Sequence, residues 1–292
     1  MYQDDPAIYI DELWQKLLYP AHPLGWPIAG TEETIRKINR KKLLNYREKQ
    51  YVGKNTVVCI AGGINPDQAI KKASNYFRHL KKGKPRKKIP IFAKQSRAKA
   101  LIKKQKTEQI HVCIGFRSVG LSHPLVYCQD ILAVVLGGMM VSRLMMEIRE
   151  KRGLAYYIYT QSIKGPSYGW LVTHAGFNNE EAKKGIEIVL REYEKIFKKG
   201  ITSSELKIAK QNIVGKTGIR LESSDALASF YGIQEILKGK IETPEEIFAK
   251  IKKVSLKDIR RFVRLVFRKK NLNLAVIGPI KKEKSIKELL NR

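Results

Sequence analysis

Apolar positions along this chain switch repeatedly between the spacing of a helix and the spacing of a strand. Ile8, Ile10, Leu13, Leu17 and Leu18 predict an opening helix over residues 5–18, which Pro20 ends. Thr31 with a following acid predicts the cap of a helix over 32–49. The β-branched run NTVVCIAG, residues 55–62, predicts a buried strand, and Asn65 predicts the cap of a helix over 66–80. Strands are expected at 101–102 and 109–116 and a helix at 123–135, ahead of the densest stretch of the chain, GGMMVSRLMMEIREKRGLAYYIYT, residues 137–160. There Leu144, Met145, Ile148 and Arg152 fall at helical spacing after Ser142, an expected N-cap, and Gly153 stands where a left-handed residue closes a helix. Leu154, Tyr156, Ile158 and Thr160 then alternate with Ala155, Tyr157 and Tyr159, the period of a strand. The remaining pattern predicts a strand over 168–177, helices over 179–199, 203–215, 227–237, 243–254 and 255–267, a strand over 271–280 and a helix over 283–290. Helices and strands alternate without βαβ regularity, so the expected fold class is α+β.

One internal similarity organises this series. Thr31 to Ile35, Tyr46 and the run 55–64 resemble Thr243 to Ile247, Phe262 and the run 271–280: each copy reads as helix, helix-end aromatic, buried strand. Only about 30 residues precede the first copy, whereas everything after the basic, proline-broken segment KKGKPRKKIPIFAKQSRAKA precedes the second. The expected organisation is therefore the remainder of a truncated first domain over 1–82, a linker over 83–98, and a complete second domain over 99–292.

Composition narrows the partners less than its most extreme value suggests. Lys and Arg number 57 against 27 Asp and Glu, a formal charge of +30. Such a charge attracts nucleic acid, anionic membrane or acidic peptide. Lysine is spread over nearly every predicted helix and no aromatic-interleaved basic motif stands out, so a solvated surface is favoured over a nucleic-acid face. Cys59, Cys113 and Cys128 lie in apolar runs without C-x-x-C spacing and are expected to be buried thiols of a reducing compartment. No signal-peptide pattern is visible at the start, and the longest apolar run, 131–141, is shorter than the roughly 20 residues of a bilayer span. A soluble, cytoplasmic protein with no membrane partner is expected.

The chemistry that the pattern points to lies at the 137–160 junction. Arg149, one turn before the helix end, and Tyr156, three residues past Gly153, are expected near one rim, where a guanidinium and a phenol can both donate to a carbonyl or oxyanion. Arg152, Tyr157 and Tyr159 are weaker candidates. The double glycines at 62–63 and 137–138 lack the Lys-Ser/Thr of a phosphate loop and are expected to be turns or close packing points.

The segments PLGWPIAGTEETI (23–35) and VVCIAGG (57–63), and above all LGGMMVSRLMMEIREKRGLAYYIY (136–159), resemble the pitrilysin/insulinase family of zinc metalloendopeptidases, the inverzincins, which include the mitochondrial processing peptidase. The resemblance implies a pair of similar α+β domains of the metallopeptidase sandwich type. It also implies an H-x-x-E-H helix whose two histidines bind zinc and whose Glu is the general base, with a more distant Glu as third ligand. That motif is absent: His22, His79, His111, His123 and His174 are isolated. By the resemblance, Arg149 and Tyr156 match the Arg/Tyr pair with which the family's second domain binds substrate backbone and stabilises the scissile carbonyl. The expectation is therefore the C-terminal, substrate-binding portion of such a peptidase, acting in proteolysis on unfolded peptides but inactive alone. No metal is expected on this chain, and zinc is expected in a missing half or in a metal-bearing family subunit; self-association is a further possibility. A non-catalytic or structural subunit of a family complex is the alternative, and a basic nucleic-acid-binding protein is the rival outside the family.

Overall fold

The computed structural model describes residues 4–84, 88–91 and 95–290. In chain order the helices are α1 (Pro6–Leu18), α2 (Glu32–Arg36), α3 (Arg40–Gln50), α4 (Pro66–Phe77), α5 (Val126–Ala133), α6 (Ala182–Lys199), α7 (Ser203–Arg220), α8 (Ser224–Lys238), α9 (Pro244–Lys253), α10 (Leu256–Val266) and α11 (Glu283–Glu288). The strands are β1 (Lys99–Lys104), β2 (Ile110–Ser118), β3 (Ala155–Lys164), β4 (Gly169–Phe177) and β5 (Leu272–Gly278). Two compact units result: Met1–Trp26, Ile91–Val214 and Ala249–Arg292 form the first, and Pro27–Pro90 with Gly215–Phe248 form the second.

The first unit is built on one mixed sheet in the order β1-β5-β2-β4-β3, with β1 and β5 parallel and every other neighbouring pair antiparallel. Successive side chains of a strand point to opposite faces, so a strand apolar at every position must be covered twice. On one face Val112, Ile114, Phe116, Leu171, Leu274 and Val276 pack with the apolar sides of α5, α6 and α10. On the other, Cys113, Trp170, Val172, Ala275 and Ile277 receive Ile10, Leu13, Trp14 and Leu17 of α1. Asp5 begins that helix by accepting the Ala7 N–H at 2.9 Å. The α+β class is thus observed as a sheet between two layers of helix.

The compact units follow different bounds from those expected at 82 and 99. The apolar side of α1 is buried on the sheet of the first unit, so residues 1–26 join it, while residues 215–248 group with 27–90. The expected linker, 83–98, lies outside the described residues at 85–87 and 92–94.

In the second unit the helix expected over 32–49 is two helices. Asn39 accepts the Lys42 N–H at 3.0 Å and starts α3 anew, because a short amide side chain competes for backbone groups better at a cap than inside a helix. Thr31 caps α2 reciprocally with Thr34 rather than with an acid: each side chain accepts the other's backbone N–H. The expected strand over 55–62 is an extended segment with no ladder partner among the described residues, and Val57, Val58 and Ile60 are exposed. β-branched residues favour extended backbone, but a strand exists only beside another. Cys59 within it is an exposed thiol, whereas Cys113 and Cys128 are buried as expected. The similarity of the two copies nevertheless extends to their element order. α2, α3, the 3-10 turn Gly53–Asn55 and the extended run match α9, α10, the 3-10 turn Lys269–Asn271 and β5.

Among the described residues no helix is long and apolar enough to cross a membrane. Gly137 lies so close to β3 that an added Cβ would stand 2.6 Å from the Thr160 backbone nitrogen, whereas one at Gly215, within α7, would meet nothing within 4 Å. Gly137→Ala is expected to destabilise the chain by about 1–3 kcal/mol through forced backbone displacement. Gly215→Ala is expected to stabilise it by roughly 0.5–1 kcal/mol through lost unfolded-state freedom. Chemical denaturation of the two variants measures both.

Candidate functional site

The segment from 134 to 160 is held by two departures from regular geometry. α5 runs on into a π-helical turn, Val134–Gly138, and a second π-helical turn, Met145–Glu150, stands where an α-helix was expected. Buried Leu144, Met145 and Ile148 have a spacing that both helix types share, so apolar periodicity does not separate them. Ser142 contributes its carbonyl to the Met146 N–H at 3.0 Å, not its hydroxyl as an N-cap; its Oγ is buried without a partner among the described residues. Gly153 has φ +60°, the left-handed closure that its position predicted. The Gly153 N–H donates to Arg149 O and the Leu154 N–H to Ile148 O, each at 3.0 Å, which locks the end of the turn to the start of β3.

The second departure lies at Tyr156. Ala155 pairs with Phe177 and Tyr157 with Gly176, so Tyr156 is the extra residue of a β-bulge. Strict alternation placed it on the buried face of Ile158 and Thr160; the bulge turns it out instead, 59% exposed beside buried Ala155 and Ile158. Arg149 is exposed on the π-helical turn. Neither the Arg149 nor the Tyr156 side chain has a hydrogen-bond, ion-pair or ring partner among the described residues. Their neighbours are committed. The side chains of Lys151 and Arg152 each donate to Glu147 at 2.6 Å, and those bonds hold the Glu147 carboxyl below its ordinary range. The Tyr157 hydroxyl lies 2.8 Å from His111 Nδ1, and the Tyr159 ring stacks on His174 with centroids 4.7 Å apart.

A third feature escaped sequence reasoning. On the sheet face beneath α1, Asp11, Cys113 and His174 bring ligand-type atoms within 4.8 Å of one another. His174 Nδ1 lies 3.2 Å from Cys113 Sγ and 3.4 Å from Asp11 Oδ1, and Cys113 Sγ lies 3.9 Å from Asp11 Oδ1. The three residues come from α1, β2 and β4, so no local spacing joins them. Cys113 and His174 are register partners, and only knowledge of the pairing would have shown it. Burial holds the His174 imidazole down to a pKa of about 4 and pushes the Cys113 thiol well up.

No pair of histidines stands in H-x-x-E-H spacing, so the residues of this chain do not build the zinc site of the metallopeptidases it resembles, and no hydrolytic step is derived from one.

The comparisons agree with this architecture. The family described as the peptidase M16 inactive domain matches residues 37–213. The uncharacterized zinc protease YmxG of Bacillus subtilis is 32% identical over 280 residues, covering 96% of this chain and 67% of its own length. The chain belongs to the peptidase M16 family. It spans 62–67% of the length of curated relatives such as YmxG and a zinc protease of Streptomyces coelicolor. The fold is shared with a peptidase M16 inactive domain from Pseudomonas fluorescens at a TM-score of 0.88 and 20% identity, covering 97% of this chain and 68% of that one. It is shared also with a chain of complex III2 from Candida albicans at a TM-score of 0.87 and 17% identity, covering 99% and 71%.

The low His174 pKa has a sign that can be checked. A histidine whose folded pKa lies below its unfolded value of roughly 6.5 binds fewer protons when folded, so stability falls as pH drops from about 6.5 toward 4. In chelator-treated protein, unfolding free energies across that window are expected to slope downward on acidification, and His174→Phe should flatten the slope.

Proposed function

We propose that this chain is the substrate-binding, C-terminal portion of an M16 zinc peptidase, in which Arg149 and Tyr156 engage the backbone of an unfolded peptide. The metal site they serve lies outside this chain. The observation that carries the reading is the contrast at the junction: Arg149 and Tyr156 are exposed and unpartnered among the described residues, while Lys151, Arg152 and Tyr157 beside them are bound elsewhere. A guanidinium offers a planar fork of donors that stays charged, and a phenol donates through its O–H without ionising. Directed at a peptide carbonyl, both bonds strengthen as negative charge develops on the oxygen, which stabilises the transition state more than the ground state. Mounting the pair on a capped turn and a bulge, rather than on a loose loop, limits the reorganisation needed.

The second unit supports the same reading. Its exposed extended run, matched in element order to buried β5, is what the remainder of a first, similar domain presents when its neighbouring strands are elsewhere. A structural subunit of a family complex is the second reading, favoured by the shared fold with the complex III2 chain.

Mixing the chain with a metal-bearing M16 subunit and following an internally quenched, unfolded peptide separates the two. Turnover is expected from the mixture and not from the chain alone. Arg149→Ala and Tyr156→Phe should each lower kcat/KM by roughly 10²–10³, the loss typical of one oxyanion donor. Turnover unchanged in both variants would remove the pair from the site, and a stable but inactive wild-type complex would favour the structural role.

A further inference from the structure

We infer that Asp11, Cys113 and His174 form a binding site for a zinc-class divalent metal ion. His174 Nδ1 faces both Cys113 Sγ at 3.2 Å and Asp11 Oδ1 at 3.4 Å, but an imidazole nitrogen carries either one proton or one lone pair. It serves one of those neighbours, while the Cys113 thiol also donates to Asp11 Oδ1 over a long 3.9 Å and His174 Nε2 stays buried without a partner among the described residues. A metal-free site therefore holds thiol, imidazole and carboxylate together through a small set of contacts, the longest of them at the 3.9 Å edge between Cys113 and Asp11. A cation at the centre satisfies all three at once.

The dimensions come close: the His174–Asp11 edge of 3.4 Å fits a zinc centre, and the edges of 3.2 and 3.9 Å need small adjustments of opposite sign. Zinc bonds of about 2.3 Å to sulfur and 2.0–2.2 Å to imidazole nitrogen and carboxylate oxygen, at tetrahedral angles, put ligand atoms roughly 3.3–3.6 Å apart. The observed edges are 3.2, 3.4 and 3.9 Å. Their chemistry selects the ion: thiolate with imidazole and carboxylate suits a borderline-soft first-row ion, whereas magnesium and calcium take oxygen ligands.

The donors sit on elements that cannot readily drift apart. Cys113 and His174 are opposite one another in the β2–β4 ladder, Tyr159 stacks at 11° on the imidazole, and Asp11 is flanked on α1 by buried Ile10 and Trp14. The thiol is fully buried, which excludes attack on a macromolecular substrate but not ligation of a single ion. Asp11, whose side chain is 49% exposed, marks the way in and leaves the fourth coordination position on the solvent side. The site differs from H-x-x-E-H in ligand chemistry and in fold position, and its existence does not depend on the peptidase reading above.

Cobalt(II) titration of the full chain in a Cys59→Ser background, which removes the exposed thiol, tests the site. One equivalent is expected to bind with a thiolate-to-cobalt charge-transfer band in the near ultraviolet and intense tetrahedral d–d bands in the visible, both bleached by zinc. Cys113→Ser should abolish the charge-transfer band, and Asp11→Ala should retain it while weakening affinity at least about tenfold. Absence of the band at one equivalent, or its survival in Cys113→Ser, overturns the assignment. Should Cys113→Ser fail to fold, the half-exposed Asp11→Ala variant decides: weaker binding supports the site and unchanged affinity overturns it.

Discussion

The double burial of β2, β4 and β5 is the constraint on which the first unit depends. Strands apolar at successive positions, such as LNLAVIG, cannot leave either face to water, so the helices α5, α6 and α10 on one side are not enough. The other side is closed by α1, a segment that ends about 80 residues ahead of the first strand. This sandwiching turns the sheet into a rigid plate. The junction that carries Arg149 and Tyr156 is clamped to it through Leu154 and the ladder of β3 with β4. Closing the face with α1 also determines what lies beneath the helix. Cys113 and His174 sit on the α1 side because Val112, Ile114, Thr173 and Ala175 occupy the other positions of the same two strands.

Much of this was legible where one local force decides. Gly153 announced its left-handed conformation because few other residues adopt it without cost, and β5 announced its burial by an unbroken apolar run. Asn65 named its own helix start. What was not legible depended on partners distant in sequence. The run 55–62 has the composition of β5 with no strand beside it among the described residues, and composition alone cannot report that difference. The bulge at Tyr156 arises from a mismatch with Phe177 and Gly176 on another strand, so alternation within β3 does not reveal which way that side chain turns. The grouping of α1 with the first unit was hidden for the same reason: its partner surface assembles from strands that lie far beyond the expected linker.

The bulge bears directly on the candidate chemistry. With regular pleating Tyr156 would have pointed into the core beside Ile158, and its phenol would have needed an internal partner. One extra residue instead exposes the ring while Ala155 and Ile158 stay buried, so the strand keeps its packing and yields a donor to the surface. Tyr157, which continues the regular ladder, is drawn to His111, and burial raises its phenol pKa. Two adjacent tyrosines thus receive different environments from one insertion, and that difference, more than residue type, separates a candidate ligand-binding group from a packed one.

A fold shared across the M16 family does not by itself carry the family's metal, because the ligands are side chains placed on the fold rather than part of it. This chain illustrates both halves of that separation. It has the sheet of the fold without any H-x-x-E-H, while the same sheet brings Cys113 and His174 into register beneath Asp11. Strand pairing fixes the Cys113–His174 separation whether or not an ion is bound, and α1 supplies the carboxylate as a consequence of covering the apolar face. The trio is therefore preorganised by packing that the domain needs in any case, and a ligand set of this kind costs the fold little beyond the desolvation of one imidazole and one thiol.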